Sequence, residues 1–341
     1  MNRKALRIIG GVVTVAVVFL GAVLAVMGLG GRKSEETASV VATGFSGYDL
    51  ARAVIGDEAE VAMLVKPGAE AHDFEPTPED IIKIKNAELF VYVGGESEEW
   101  VTDLLRDNEI PAEKTLRLMD LVEVKEEELA EGMEGHEHDG GGEHEGHEHE
   151  SEEGHEGEAY NQHEEVEYDE HIWTSPVNAI KLVNGIKEKL ASLHPERRAS
   201  YEQNAAAYTA RLVEIDRQIR DVVANSKKKE LIFGDRFPFR YFVDEYGLDY
   251  FAAFPGCAEQ TEASSRTVAF LVDRARTDGV KVILKIELTS DKLARAIADE
   301  VGAEVMTLSA AHNVSAEDCR RGVTYADLME ENVKVLREAL K

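Results

Sequence analysis

Cysteine is scarce in this chain, with only Cys257 and Cys319 among 341 residues. A disulfide scaffold is thereby excluded, and at most one bridge can form, in an oxidising compartment. Basic residues are few as well, 38 Lys and Arg against 67 Asp and Glu, for a formal net charge of −29. Such a chain offers no basic face for phosphates, so a nucleic-acid partner is excluded. Between Glu131 and Glu170 basic residues vanish altogether while seventeen carboxylates remain. That run cannot bury enough apolar surface to build a core and reads as a flexible loop.

The histidines are concentrated where the basic residues are missing. The acidic run carries His136, His138, His144, His147, His149, His155 and His163, seven of the eleven in the chain, and ends in Asp169-Glu170-His171-Ile172-Trp173. Neutral imidazoles suit zinc, copper and nickel, and the surrounding negative field draws cations in. These seven are expected to be weak, exchanging metal sites.

The N-terminus is basic at Arg3, Lys4 and Arg7, and Ile8 to Leu29 is an almost uninterrupted apolar run. It exceeds the usual cleaved signal core of about 7 to 15 residues and approaches the ~20 needed to span a bilayer. Residues 1–33 are therefore expected to be a signal peptide or an N-terminal membrane anchor, with the chain after Arg32 outside the cytoplasm. No cysteine follows the run, so a lipid anchor has no acceptor.

Beyond residue 38, short apolar runs alternate with helical patterns. Val40–Phe45, Val61–Val65 and Leu89–Val93 read as strands, with helices over Tyr48–Ile55, Ile81–Asn86 and Glu98–Arg106. Thr77 is a good helix cap and Pro78 fits the first helical position. Helices follow from Ser175-Pro176 to Ala191 and from Pro195 to Ala224. In the second, Tyr201, Ala205, Tyr208, Leu212, Ile215, Ile219 and Val222 form one apolar stripe. A helix of that length spans about 45 Å, enough to join two lobes. Strands then recur at Leu231–Phe233, Tyr250–Phe254, Val282–Ile286 and Glu304–Leu308, with helices between them and a last one over Val323–Leu340. The expected fold is α/β: two lobes, each a mostly parallel sheet flanked by helices, joined by one long spine helix. The expected boundaries are an N-terminal lobe at 38–175 containing the acidic loop 131–170, linking helices at 176–226, and a C-terminal lobe at 227–341.

Outside the acidic run, His72, His171, His194 and His312 remain. His194 precedes a proline at a helix boundary and reads as an exposed cap. His72 and His312 each follow a strand, on the side where open parallel sheets bind ligands, and His171 lies in a loop. Three imidazoles meeting there make a tetrahedral zinc site with one position left for water or a carboxylate. The same set would suit a catalytic zinc, but no His-Glu-x-x-His helix and no evident general base accompany it.

These residues carry a resemblance. Ala71-His72-Asp73-Phe74-Glu75-Pro76-Thr77-Pro78-Glu79-Asp80, the acidic His-rich loop before His171-Ile172-Trp173, and the helix at Tyr201 to Asp216 resemble the zinc and manganese solute-binding proteins of bacterial ABC importers. The resemblance implies two α/β lobes bridged by a spine helix and a metal held between them. It also implies capture and delivery to an ABC permease rather than catalysis. A monomer, periplasmic or associated with the outer surface of the membrane, is expected. Zinc is the expected ion and manganese the alternative, since histidine-rich coordination favours zinc and carboxylates favour manganese. A membrane-anchored metal buffer or sensor, or a zinc metalloenzyme, are the competing readings.

Two positions depart from the family pattern. Its third ligand falls on Arg236, which stays protonated and cannot coordinate, and its late aspartate falls near Ser309. His312 is therefore expected to replace one lost ligand, with His72 and His171 as the others. Arg236 is expected to pair with Glu287 or Asp235, and the last coordination position to be water or one of those carboxylates.

Overall fold

The computed structural model of the protein describes residues 40–133, 167–258 and 263–341. The N-terminal apolar run and the seven loop histidines lie outside the described residues. Among the described residues no helix is long and apolar enough to cross a membrane.

Short apolar runs become fully parallel sheets. β1 (Val40–Ala42) pairs with β2 (Val61–Met63) and β3 (Leu89–Tyr92), and β3 pairs with β4 (Thr115–Arg117), giving the order β2-β1-β3-β4. The second sheet repeats the plan as β6-β5-β7-β8, from β5 (Glu230–Phe237), β6 (Asp249–Pro255), β7 (Val282–Lys285) and β8 (Glu304–Thr307). Every residue of β1 is buried, as a strand covered on both faces requires. In each sheet the strand order reverses beside the strand that comes first in the chain, which opens a crevice at the carboxyl ends.

The helices follow from local signals. α1 (Phe45–Ile55) starts directly after β1. α2 (Pro78–Asn86) is opened by Thr77, whose hydroxyl accepts the Asp80 N–H while Asp80 accepts the Thr77 N–H, with proline in the first turn. α3 is Glu99–Asp107, and α4 (Pro176–Leu193) is capped by Ser175. The spine, α5, runs Arg198–Asn225, about 42 Å at 1.5 Å per residue. Its buried stripe is Tyr201, Ala205, Leu212, Ile215, Ile219 and Val223. Tyr208 and the expected Val222 are only half buried, because a straight 3.6-residue helix drifts off a seven-residue repeat.

The second half adds α6 (Arg240–Tyr246), α7 (Ser265–Thr277), α8 (Lys292–Val301), α9 (Ala316–Arg321) and α10 (Tyr325–Ala339). α9 has no counterpart in the apolar pattern. One apolar core joins both sheets to the spine, with Val40 and Leu89 from the first, Leu231 and Leu284 from the second, and Ile215 between. Buried Asp49 ties α1 to this arrangement by accepting from the Tyr208 hydroxyl at 2.9 Å and the Tyr325 N–H at 2.8 Å. Both cysteines are unbonded, so the disulfide considered from composition is not formed.

Candidate metal centre

Each histidine of interest lies beyond the carboxyl end of a strand or in a loop braced by long-range bonds. His72 lies in the loop between β2 and α2. His171 follows a segment clasped antiparallel to Lys125–Glu127, where the Asp169 N–H donates to Lys125 O and the Glu127 N–H to Glu167 O. Tyr241, from α6, donates its hydroxyl to Asp169 O at 2.7 Å and so fixes the same segment from the second half. His312 follows β8, and the residue before it, Ala311, has φ +55°. An L-residue in that region costs roughly 1–2 kcal/mol. The strained turn aims the ring inward.

The three rings meet. Their centroids are 4.6 Å apart for His171 and His312, 5.4 Å for His72 and His312, and 5.6 Å for His72 and His171. One ligand atom from each lies within 4.8 Å of the other two. The Nε2 atoms of all three are buried and have no hydrogen-bond partner in the protein. An unsatisfied buried polar atom costs about 1–3 kcal/mol, so three converging ones describe a site shaped for a cation.

The opposite ring nitrogens face carboxylates. His171 Nδ1 is 2.9 Å from Asp169 Oδ1, which also accepts the His171 N–H at 2.7 Å. An ionised carboxylate can only accept, so Nδ1 carries the proton and Nε2 keeps its lone pair for the centre. His72 Nδ1 is 3.4 Å from Glu170 Oε1, and His312 Nδ1 is 3.9 Å from Glu287 Oε1. Glu170 is itself held by the Ser97 N–H and hydroxyl. Burial pulls the His171 pKa down, but the Asp169 charge and hydrogen bond outweigh it, and the net shift is upward. His72 is held below the ordinary range by burial and then by His171. His312 is held well below it by burial, then by His171, His72 and Arg236.

Arg236 does not pair with Glu287 or Asp235. Its Nη2 reaches Glu70 Oε2 at 2.8 Å, in the loop two residues before His72. Burial pushes the Glu70 carboxyl up, but the guanidinium outweighs this and holds it below the usual range. The physical reason lies in β5, which continues to Phe237 and carries an irregularity between Phe233 and Arg236 that re-aims the side chain. Gly234 is required there, because a Cβ would stand 2.5 Å from the Ala294 Cα of α8. Asp235 instead accepts from its neighbour's N–H, from Ile286 N and from the Thr289 hydroxyl. Glu287 accepts from Ala310 N at 2.7 Å and His312 N at 2.9 Å, bracing the turn that carries His312. Burial raises the Glu287 carboxyl despite these donors.

Sequence reasoning missed four contributors. Asp169 and Glu170 orient two of the rings, and their signal was present in the Asp-Glu-His word. Trp173 donates its indole N–H to Ala310 O at 2.8 Å, tying the His171 segment to the His312 turn. Gly256, after β6, passes so close that a Cβ there would lie 2.9 Å from His171 Cε1. His194 caps α4 and lies 2.9 Å from Glu88, away from the centre.

Comparisons with known proteins agree with this architecture. The family described as "Zinc-uptake complex component A periplasmic" matches residues 40–339. The high-affinity zinc uptake system protein ZnuA of Bacillus subtilis is 34% identical over 301 residues, covering 88% of this chain and 87% of that protein. The zinc-binding lipoprotein AdcA of Streptococcus pneumoniae is 29% identical over 313 residues. That match covers 90% of this chain but 56% of AdcA, so the chain spans little more than half the length of that relative. The crystal structure of the Zn(II)-bound ZnuA-like domain of S. pneumoniae AdcA superposes with a TM-score of 0.69 at 27% identity, covering 89% of this chain and 98% of that one. With two parallel α/β sheets joined by a spine and a family match across nearly all of the described fold, the chain belongs to the zinc-uptake complex component A family.

Proposed function

We propose that the protein captures one zinc ion outside the cytoplasm, in the cleft where His72, His171 and His312 meet, and delivers it to the permease of an ABC importer. The observation that carries this reading is the set of three buried, partnerless Nε2 atoms. Three imidazoles form a zinc-type donor set, whereas manganese favours carboxylates and water. The carboxylates at this site orient the rings or hold backbone N–H groups, which favours zinc. Binding without turnover fits a centre that is buried and enclosed by both halves of the fold. The His-rich acidic run acts as a collecting segment, and the apolar run at Ile8 to Leu29 keeps the receptor at the membrane surface. The names of the B. subtilis and S. pneumoniae relatives support zinc as the cargo.

The test is elemental analysis of the purified full chain with a chelator-competition titration. One tightly held zinc per chain, lost in His171→Ala and not matched by manganese, is expected. Equal affinity for manganese, or turnover of an ester, peptide or phosphate substrate by the zinc-loaded protein, would overturn the reading.

A further inference from the structure

We propose that His72, Glu170 and Cys257 form a second divalent-cation position of mixed nitrogen, oxygen and sulfur donors. It adjoins the three-histidine centre and shares His72 with it. The inference rests on the proposed role of that centre and adds a place where the ion can stand beside it.

Cys257 lies in the turn Pro255-Gly256-Cys257 that leaves the carboxyl end of β6. One donor atom each from His72, Glu170 and Cys257 lies within 4.8 Å of the others. The edge of a tetrahedral zinc polyhedron is roughly 3.3–3.8 Å from ordinary Zn–N, Zn–O and Zn–S lengths, so a closure of no more than about 1.5 Å completes it. The turn is pressed against the site, since only a residue without Cβ fits between it and the His171 ring. Its position is also fixed from the other half by the Cys257 N–H, which donates to Glu127 Oε1 at 3.4 Å. Glu170 is buried and its two oxygens are already aligned by Ser97. His72 Nε2 is buried without a partner.

Chemistry supports a cation there. Burial pushes the Cys257 thiol up, and the negative charge of Glu170, Glu127, Asp169 and Glu96 pushes it the same way, so the surroundings of the sulfur favour a cation. On binding, the thiol releases its proton to solvent and coordinates as thiolate, with water in the fourth position. The position is separate from the first one. Among the described residues Cys257 groups with His72 and Glu170, whereas His171 and His312 group only with His72 at that spacing. The two positions share the His72 ring, and an ion at the second trades two imidazoles for a carboxylate and a thiolate.

Cobalt(II) reports both positions, because thiolate ligation adds a near-ultraviolet charge-transfer band to the visible bands of a tetrahedral ion. The full chain is titrated with cobalt as wild type, His312→Ala, Cys257→Ser and the double variant, each checked for folding by circular dichroism. His171→Ala stands in should His312→Ala fail to fold. With the three-histidine position broken, the ion should settle on the thiolate. His312→Ala is expected to bind at least tenfold more weakly than wild type yet show a stronger thiolate band per bound ion. The band should vanish in the double variant, and Cys257→Ser should keep the wild-type visible spectrum. A folded His312→Ala that binds no cobalt, or binds it without a thiolate band, overturns the second position. A band present in wild type and lost in His312→Ala would make Cys257 a fourth ligand of a single centre and also overturn it. Failure of the main reading looks different: affinity unchanged in His312→Ala, whatever the band does.

Discussion

Replacing His312 with alanine removes one of three imidazoles while leaving both sheets untouched, so its effect separates metal binding from folding. In the metal-free protein the loss is small. The ring packs edge-on against His171 and Trp173, but it also carries a buried, unsatisfied Nε2. Releasing that atom returns about 1–3 kcal/mol, which offsets most of the lost packing, so the metal-free stability should change by only about 1 kcal/mol. The metal-dependent term is larger. At a thousandfold excess over Kd, zinc stabilises the folded state by RT ln(1 + [L]/Kd), about 4.1 kcal/mol. Unfolding entropy of about 2.1 cal/mol/K per residue, over the roughly 265 described residues, converts this to about 7 °C in Tm. If the loss of His312 weakens Kd about a hundredfold, roughly 2.7 kcal/mol at 1.4 per decade, the same zinc concentration leaves about 1.4 kcal/mol, or about 2.5 °C. Scanning calorimetry with and without zinc reads both numbers. His72→Ala should behave alike, and Arg236→Ala should keep the shift because its guanidinium serves Glu70. A full zinc-dependent shift in His312→Ala would refute the assignment of this residue as a ligand.

Asp169→Asn should weaken zinc binding about 10- to 100-fold in a competition titration, since it removes the charge that fixes the His171 ring. Gly256→Ala should lower affinity at least about tenfold with the fold retained by circular dichroism, because the new Cβ would displace His171. Affinity should begin to fall on acidification already above pH 6.5, where His171, with its raised pKa, takes up a proton, while His72 and His312 add their competition only at lower pH. The metal-free fold should show both signs. The His171 contribution is complete below 6.5 and lost as pH rises through its raised value, whereas those of His72 and His312 are present above 6.5 and lost as pH falls through their depressed values. Chelator competition and thermal melts across about pH 5 to 8 measure the two effects. Deleting Gly135 to Gln162 should leave one tight zinc and remove several weaker ones, and calorimetry showing loss of the tight site would make a loop histidine a ligand.

The strands were legible because short apolar runs such as Val40–Ala42 and Val282–Lys285 are buried on both faces and need no partner to be recognised. His72 and His312 were legible as histidines just past such runs, and a parallel sheet gathers whatever follows its strands. Contacts between residues far apart were not. Arg236 pairs with a residue 166 positions away, and the neighbouring carboxylates that seemed available are occupied by strand-end N–H groups, which have no ladder partner and must find one. Cys257 could be read only as half of a possible disulfide. Its neighbourhood depends on β6 lying at the edge of the second sheet and on the turn after it folding back over His171. α9 escaped because six residues with no fully buried side chain leave no periodic trace.

Asn313, one residue beyond His312, spends both amide hydrogens on the carbonyls of Lys66 and Ala69, each at 2.8 Å. With Arg236 gripping Glu70, the stretch just before His72 is fastened twice to the second half of the chain. The lifetime of a bound ion is then governed partly by bonds that never touch it. Were the ion to leave through this seam, dissociation would be slow even where affinity is moderate. The two fastenings also differ in kind: the amide bonds are neutral, while Arg236 and Glu70 are a charged pair 2.8 Å apart, well inside the Debye length of about 10 Å at 0.1 M, so salt weakens it only modestly. A partner that competes for the carbonyls of Lys66 and Ala69 would hasten unloading without displacing a single ligand, which separates how tightly the ion is held from how quickly it can be handed on.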